Sequence, residues 1–275
     1  MAASKAQSFL ITGANRGLGL EMVKQLVESR ASTCRLFAAC RDPDAPKSQA
    51  LQDLAKKYPK VITVIQLGNM HLRALFHLTK YGTFDTTDPR SMKEAAMKVG
   101  AKLEGGGLNV LVNNAGVLPR GDLLHTSEQE FQMSMDTNLM GPVRVTKEFL
   151  PYLLQASKAS TQPGMSWSKA AVINISALLA SIKLVPETYI AHPAISYRIS
   201  KTALNMFNQC AAFEFTKDGI LFAAIHPGWV RTDMGGPNGE IDVVESVQGL
   251  LKVMGSLTEK ENGAFLDYHG KPLPW

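Results

Sequence analysis

A tyrosine and a lysine stand four positions apart in Tyr197-Arg198-Ile199-Ser200-Lys201. On a helix that spacing puts both side chains on one face, where they can act as a pair. A free phenol, with a pKa of about 10, exchanges its proton poorly at neutral pH. An ammonium held beside it stabilises the phenolate and draws the pKa toward working pH. The chemistry would be proton delivery to, or removal from, an oxygen. The same spacing also arises where the ring is half-buried and the charge is simply solvated, so the pair gains meaning only from the elements around it.

Those elements alternate. Short β-rich runs at Phe9–Thr12, Cys34–Ala39, Val61–Leu67, Leu108–Val112, Ala171–Ile175, Leu221–Ile225 and Phe265–Tyr268 are separated by segments of helical period. The helices predicted are Leu18–Ser29, Ser48–Lys57, Pro89–Leu103, Ser127–Leu154, Ala194–Thr216 and Val243–Met254. Several strands are continuous apolar runs, as expected where helices cover both faces of a sheet. The expectation is an α/β fold: a doubly wound (Rossmann) arrangement with a mostly parallel, seven-stranded sheet. No repeat or linker divides the chain, so residues 1–275 are read as a single domain. Residues 68–84 break the rhythm. Joining Leu67 to Asp85 would restore an ordinary strand-to-helix junction, so this segment reads as an insertion between the third strand and the following helix.

Composition narrows the classes. With 45% hydrophobic and 19% charged residues, the chain of 275 residues can bury a full core. The net charge of +5 is dispersed, which speaks against nucleic acid as a partner and suits an anionic small molecule. Cys34, Cys40 and Cys210 have no CxxC spacing and fit a reducing compartment. No signal-peptide pattern and no membrane-length apolar run is present, so a cytoplasmic protein without membrane association is expected. The histidines show neither H-E-x-x-H nor Cys/His ligand spacing, and no metal is assigned.

The first strand runs into Thr12-Gly13-Ala14-Asn15-Arg16-Gly17-Leu18-Gly19, which opens the first helix. Glycines there let the backbone turn tightly and approach a pyrophosphate, which then meets the free N–H groups of the helix N-terminus. The spacing is G-x-x-x-G-x-G rather than the general G-x-G-x-x-G. At the end of the second strand an acid would bind a ribose 2′-hydroxyl and a cation a 2′-phosphate. Arg41 stands there and Arg16 lies in the glycine turn, which favours NADP(H) because guanidinium grips phosphate oxygens bidentately. Asp42 leaves an NAD-dependent alcohol dehydrogenase as a competing reading.

Taken together, Thr12-Gly13-x-x-x-Gly17-x-Gly19, Asn113-Asn114-Ala115-Gly116, Tyr197-x-x-x-Lys201 and His226-Pro227-Gly228 resemble the short-chain dehydrogenase/reductase family, in order and over nearly the whole chain. Tyr197-Arg198-x-Ser200-Lys201, the Pro227–Gly236 run and the final Leu273-Pro274-Trp275 resemble the C-factor/sniffer-like carbonyl reductases. The resemblance implies that Tyr197 gives its proton to a substrate oxygen as hydride arrives from the cofactor. It implies that Lys201 binds the nicotinamide ribose and lowers the Tyr197 pKa, and that Asn138 holds a water linking lysine to solvent. The cofactor set it implies is Gly13, Asn15, Arg16, Gly17, Leu18, Gly19, Arg41, Asp85 at the adenine, Asn114, Ala115, Gly116, Tyr197, Lys201, Pro227, Gly228, Val230 and Thr232. A small-molecule aldehyde, ketone or quinone would be the substrate. The helices at Ser127–Leu154 and Ala194–Thr216 could pair across a homodimer, although their apolar faces serve a core equally well.

One position departs from the family. Its catalytic serine follows a strand of the form Asn-x-Ser-Ser, and here the strand reads Asn174-Ile175-Ser176-Ala177. The aligned position is therefore Ala177. Ser176 is kept as the nearest catalytic candidate, although strand neighbours face opposite sides. Ser181 is another if the following loop folds back. Two readings follow: a reductase slowed by Ala177, or a catalytically weakened NADP(H)-binding regulatory or interaction protein.

Overall fold

A computed structural model describes residues 6–68 and 89–275. Seven strands form one sheet in the order β3-β2-β1-β4-β5-β6-β7. They are β1 Gln7–Thr12, β2 Cys34–Cys40, β3 Ile62–Gln66, β4 Val110–Asn113, β5 Ala171–Ile175, β6 Leu221–His226 and β7 Phe265–Asp267. Every pairing between them is parallel. The order reverses direction at β1, which pairs β2 on one side and β4 on the other, and opens a crevice at the carboxyl ends of these strands.

Strand residues divide between two cores by alternation. Phe9, Ile11, Ala171, Ile173 and Ile225 pack with Val23 and Leu26 of α1 (Gly17–Arg30), Leu51 of α2 (Gln49–Lys57) and Val247 and Leu250 of α8 (Val243–Ser256). Leu10, Phe37, Leu111, Val172 and Phe222 face the other way, onto α3 (Pro89–Leu103), α5 (Gly141–Ala159) and α7 (Ile195–Glu214). Each fully buried Leu, Ile or Phe contributes about 1.5–3 kcal/mol. Two cores built this way hold the central strands rigidly, and with them the loops at their carboxyl ends.

The segment predicted as one helix over Ser127–Leu154 is interrupted. It begins as α4 (Glu128–Met135), started by a capping box between Ser127 and Glu130, and passes through a π turn at Asp136–Met140 before α5. The Gly141 N–H reaches back to the Asp136 carbonyl, five residues away, instead of four. Pro142 supplies the reason: it has no N–H to offer the Asn138 carbonyl, so the regular ladder cannot continue through that point. A short helix, α6 (Val185–Thr188), lies in the loop between β5 and α7. The segment read as an insertion falls, from residue 69 onward, outside the described residues, as does Asp85. Among the described residues, no helix is long and apolar enough to cross a membrane.

Candidate active site

The glycine turn sits directly above the carboxyl end of β1. Gly13 and Gly17 have φ of +66° and +51°, in the left-handed region that favours glycine. A Cβ at Gly19 would overlap the Gly13 carbonyl oxygen and stand 2.7 Å from Asn114 Nδ2. The turn is fastened to the loop after β4: Asn114 Nδ2 donates to the Thr12 and Gly13 carbonyls at 2.9 and 3.3 Å. Thr12 Oγ1 in turn accepts from the backbone N–H groups of Asn114 and Ala115. Arg16, the N-cap of α1, makes no side-chain cap, so its side chain satisfies none of the first N–H groups of the helix. The Arg16 guanidinium instead meets Asp233, in the loop after β6, at 2.8 Å. Asn15 Nδ2 lies 3.3 Å from Ser48 Oγ, which itself donates to the Asp42 carbonyl beside Arg41.

Tyr197 and Lys201 occupy the first turns of α7 and are both buried. Lys201 Nζ lies 5.8 Å from the Tyr197 ring centroid and donates to the Ile175 carbonyl at 2.6 Å. Burial lowers the lysine to about 8. Burial also pushes the Tyr197 phenol above its ordinary value. The lysine was expected to draw it down. Here Lys201 stands 5.8 Å from the ring centroid, and the desolvation of the ring wins.

Asn138, in the π turn, clasps Val117 through two bonds of 2.9 Å, accepting from its N–H and donating to its carbonyl. It also donates to Ser200 Oγ at 3.0 Å, and that hydroxyl donates to the Tyr197 carbonyl. Gly116 closes the arrangement. A Cβ placed there would stand 3.2 Å from Asn138 Oδ1, 3.8 Å from Lys201 Nζ and 4.0 Å from Met234 Cε. The absence of a side chain at 116 thus keeps open the space in front of the lysine and the asparagine. Pro227, Gly228, Val230 and Thr232 follow β6 across the crevice, held by a bridge from Val230 to Ile241 and by Ser246 donating to the Pro227 carbonyl.

The structure does not bring the candidate serines to Tyr197. Ala177 packs in a small apolar cluster with Ala194 and Tyr197, flanked by Leu118 and Leu179. Ser176 points elsewhere, donating to Asn205 Oδ1 on α7 at 2.7 Å, as strand alternation requires. Ser181 donates to the Trp275 carbonyl and accepts from the Leu184 N–H.

Three neighbours, Ser200, Met234 and His226, lie inside the motifs that carry the family resemblance, but their individual contacts had no signal of their own in the sequence. Ser200 is a small residue beside the lysine, and Met234 is a lone methionine in a loop. His226 is half-buried at the end of β6, with its Nδ1 enclosed and unpartnered among the described residues, and desolvation lowers it to about 4 against the opposing pull of Asp267. Among the described residues, no group of His, Cys, Asp and Glu is placed to hold a metal ion.

A glycine turn at the reversal point of a parallel sheet, facing a tyrosine–lysine pair across the crevice, defines a dinucleotide-dependent oxidoreductase architecture. The chain matches the short chain dehydrogenase family over residues 7–242 and belongs to it. An NADPH-bound carbonyl reductase from chicken fatty liver is 39% identical, with a TM-score of 0.87 over 98% of this chain and 95% of that one. The carbonyl reductase Sniffer of D. melanogaster is 32% identical, with a TM-score of 0.85 over 98% of this chain and 100% of its own. The C-signal protein of Myxococcus xanthus is 32% identical over 62% of this chain and 94% of its own.

Proposed function

We propose that this protein is an NADPH-dependent carbonyl reductase acting on an aldehyde, ketone or quinone. One observation carries the reading: Tyr197, Lys201 and Asn138 converge beside Gly116, across the crevice from the glycine turn. Support outside the chain comes from the likeness to the NADPH-bound chicken reductase. The residues fit a dinucleotide: Cβ atoms at Gly13 and Gly19 would collide with the loop after β4 and with the Gly13 carbonyl, so glycine alone allows the tight turn, and Gly116 leaves the lysine and asparagine uncovered. Gly13, Asn15, Gly17, Leu18 and Gly19 would hold the pyrophosphate, Arg16 and Arg41 the 2′-phosphate, and Asn114, Ala115, Gly116, Pro227, Gly228, Val230 and Thr232 the remainder. When bound, NADPH supplies the hydride.

The chain's own part is the proton. Tyr197, kept in its phenol form by burial, gives its proton to the substrate oxygen as that oxygen takes on negative charge. The tyrosinate left behind is stabilised by the Lys201 cation, and Lys201 also binds the ribose hydroxyls. Asn138 holds the π turn and Ser200 in place, and can support a water between the lysine and solvent. Tyr197→Phe should lower kcat/KM by about 10²–10⁴-fold while NADPH binding, measured by fluorescence titration, stays within a factor of two. Wild-type protein that fails to bind NADPH at tens of micromolar would overturn the reading.

A second reading rests on Ala177. With Ser176 committed to Asn205 and Ser181 to Trp275 and Leu184, neither serine hydroxyl is available to join Tyr197 in polarising the substrate carbonyl. On this reading the protein binds NADP(H) and turns over slowly, serving as a regulatory or interaction protein.

A further inference from the structure

Arg198 follows the tyrosine and is only 5% exposed. A buried guanidinium is costly unless its donors are met, and it is commonly met by a carboxylate. Here the partners are neutral. Nε donates to the His192 and Pro193 carbonyls at 3.0 and 3.2 Å, and Nη2 donates to the His192 carbonyl at 2.7 Å. Nη1 donates to Thr188 Oγ1 at 3.1 Å, and the cation lies 5.4 Å from the Tyr189 ring centroid. Thr188 Oγ1 donates in turn to the Leu184 carbonyl, so the fork is tied to the start of the segment as well as to its end.

The segment it gathers, 188–193, borders the site on the substrate side. It ends at Ala194, whose φ is +30° and which packs against Ala177 and Tyr197. A left-handed alanine is strained and persists only where its surroundings fix it. The His192 ring meets Trp229, in the loop after β6, edge-on at 5.1 Å between centroids, so the gathered segment reaches from α7 to that loop.

We propose that Arg198 is a positioning residue: its fork holds Thr188–Pro193 against Trp229 and so sets the width of the carbonyl pocket beside Tyr197. The kinetic consequence rests on the reductase reading above; the anchoring itself does not. A fork matters here because it reaches separate acceptors at fixed angles, which a lysine head cannot do.

The test uses the full chain with Arg198→Met and Arg198→Lys, menadione as the probe carbonyl, and hydrogen exchange over residues 182–194. Both variants should keep NADPH affinity within about twofold. Both should raise KM for menadione about tenfold or more with kcat changed less than threefold, and exchange in the segment should speed up about tenfold. Added guanidinium should partly restore KM in the methionine variant, which a general packing defect would not allow. If Arg198→Met does not fold, Arg198→Lys carries the test. Wild-type KM, or unchanged segment protection, in the folded variant would overturn the proposal. Wild-type protein without reductase activity would overturn the reductase reading instead, and the exchange experiment would still decide the anchoring.

Discussion

The two sides of the crevice are held by different physics. On the catalytic side, three successive residues of the β5 edge each bond to α7: Asn174 Nδ2 to Asn208 at 3.0 Å, Lys201 to the Ile175 carbonyl at 2.6 Å, and Ser176 to Asn205 at 2.7 Å. A second ladder joins α7 to α4 and the π turn, pairing Ser134 with Ser196 and Asn138 with Ser200, both at 3.0 Å. All of these groups are buried. On the cofactor side, Asn114 fastens the glycine turn to the loop after β4, but across the mouth, from that turn to the loop after β6, the tie is the ion pair of Arg16 with Asp233, whose side chains are 55% and 78% exposed. Buried hydrogen bonds fix a helix to a fraction of an ångström, because leaving any partner unmade costs about 1–3 kcal/mol. An exposed pair is worth about 0–1 kcal/mol and yields to a competing anion. A proton donor needs the first kind of support. A mouth that must admit and release a large anion is served by the second.

The sharpest way to break this comparison is to add what the rigid side lacks. Ala177→Ser should raise kcat/KM on a reactive quinone by up to about 10²-fold, since one well-placed donor to the developing oxyanion is worth about 2.7–4 kcal/mol. An unchanged rate would mean that another group already polarises the carbonyl, or that chemistry is not limiting. Asn174→Ala should lower unfolding free energy by about 2–4 kcal/mol in urea titration, because it removes one acceptor of Asn113 Nδ2 and the donor to Asn208 Oδ1, both buried. A cost below about 1 kcal/mol would show that the buried ladder is not what fixes α7.

On the open side, Arg16→Met should weaken NADPH binding about tenfold and leave NADH nearly unaffected, read by parallel titrations. Equal losses for both cofactors would remove Arg16 from the 2′-phosphate site. The pH profile distinguishes the sides further. Lys201, lowered by burial to about 8, is a cation below that value and loses its charge above it. Since tyrosinate needs the cation, kcat/KM for reduction should be level toward pH 7 and fall by about tenfold per pH unit well above 8. A flat profile to pH 10 would place the lysine outside the rate-setting step. The smallest effect belongs to Asp233→Asn, whose unfolding free energy should lie within about 1 kcal/mol of wild type.

The sheet was legible because its strands are apolar runs such as Leu108–Val112 and Leu221–Ile225, which leave little doubt about their burial. The helix boundaries were less so, since Ser127–Leu154 keeps one helical period across a break that only the missing N–H of Pro142 betrays. Within the candidate site, Tyr197, Lys201, Asn138 and the glycines have types that advertise their chemistry. Ser200 and Met234 are legible only as members of longer motifs, because a serine or a methionine acquires its role from what the fold sets against it. The pairing of Arg16 with Asp233 joins residues far apart in the chain and has no local signature.

The π turn at Asp136–Met140 has one more consequence, in the phase of the helices it joins. In an unbroken α-helix, residues 134, 138, 141, 145 and 149 would form a single stripe. One extra residue in the turn rotates everything beyond it by about 100°. That offset lets Ser134 and Asn138 look toward α7 while Val145 and Phe149 look toward the sheet. The chain thereby uses one continuous rod to serve two surfaces that no regular helix could face at once.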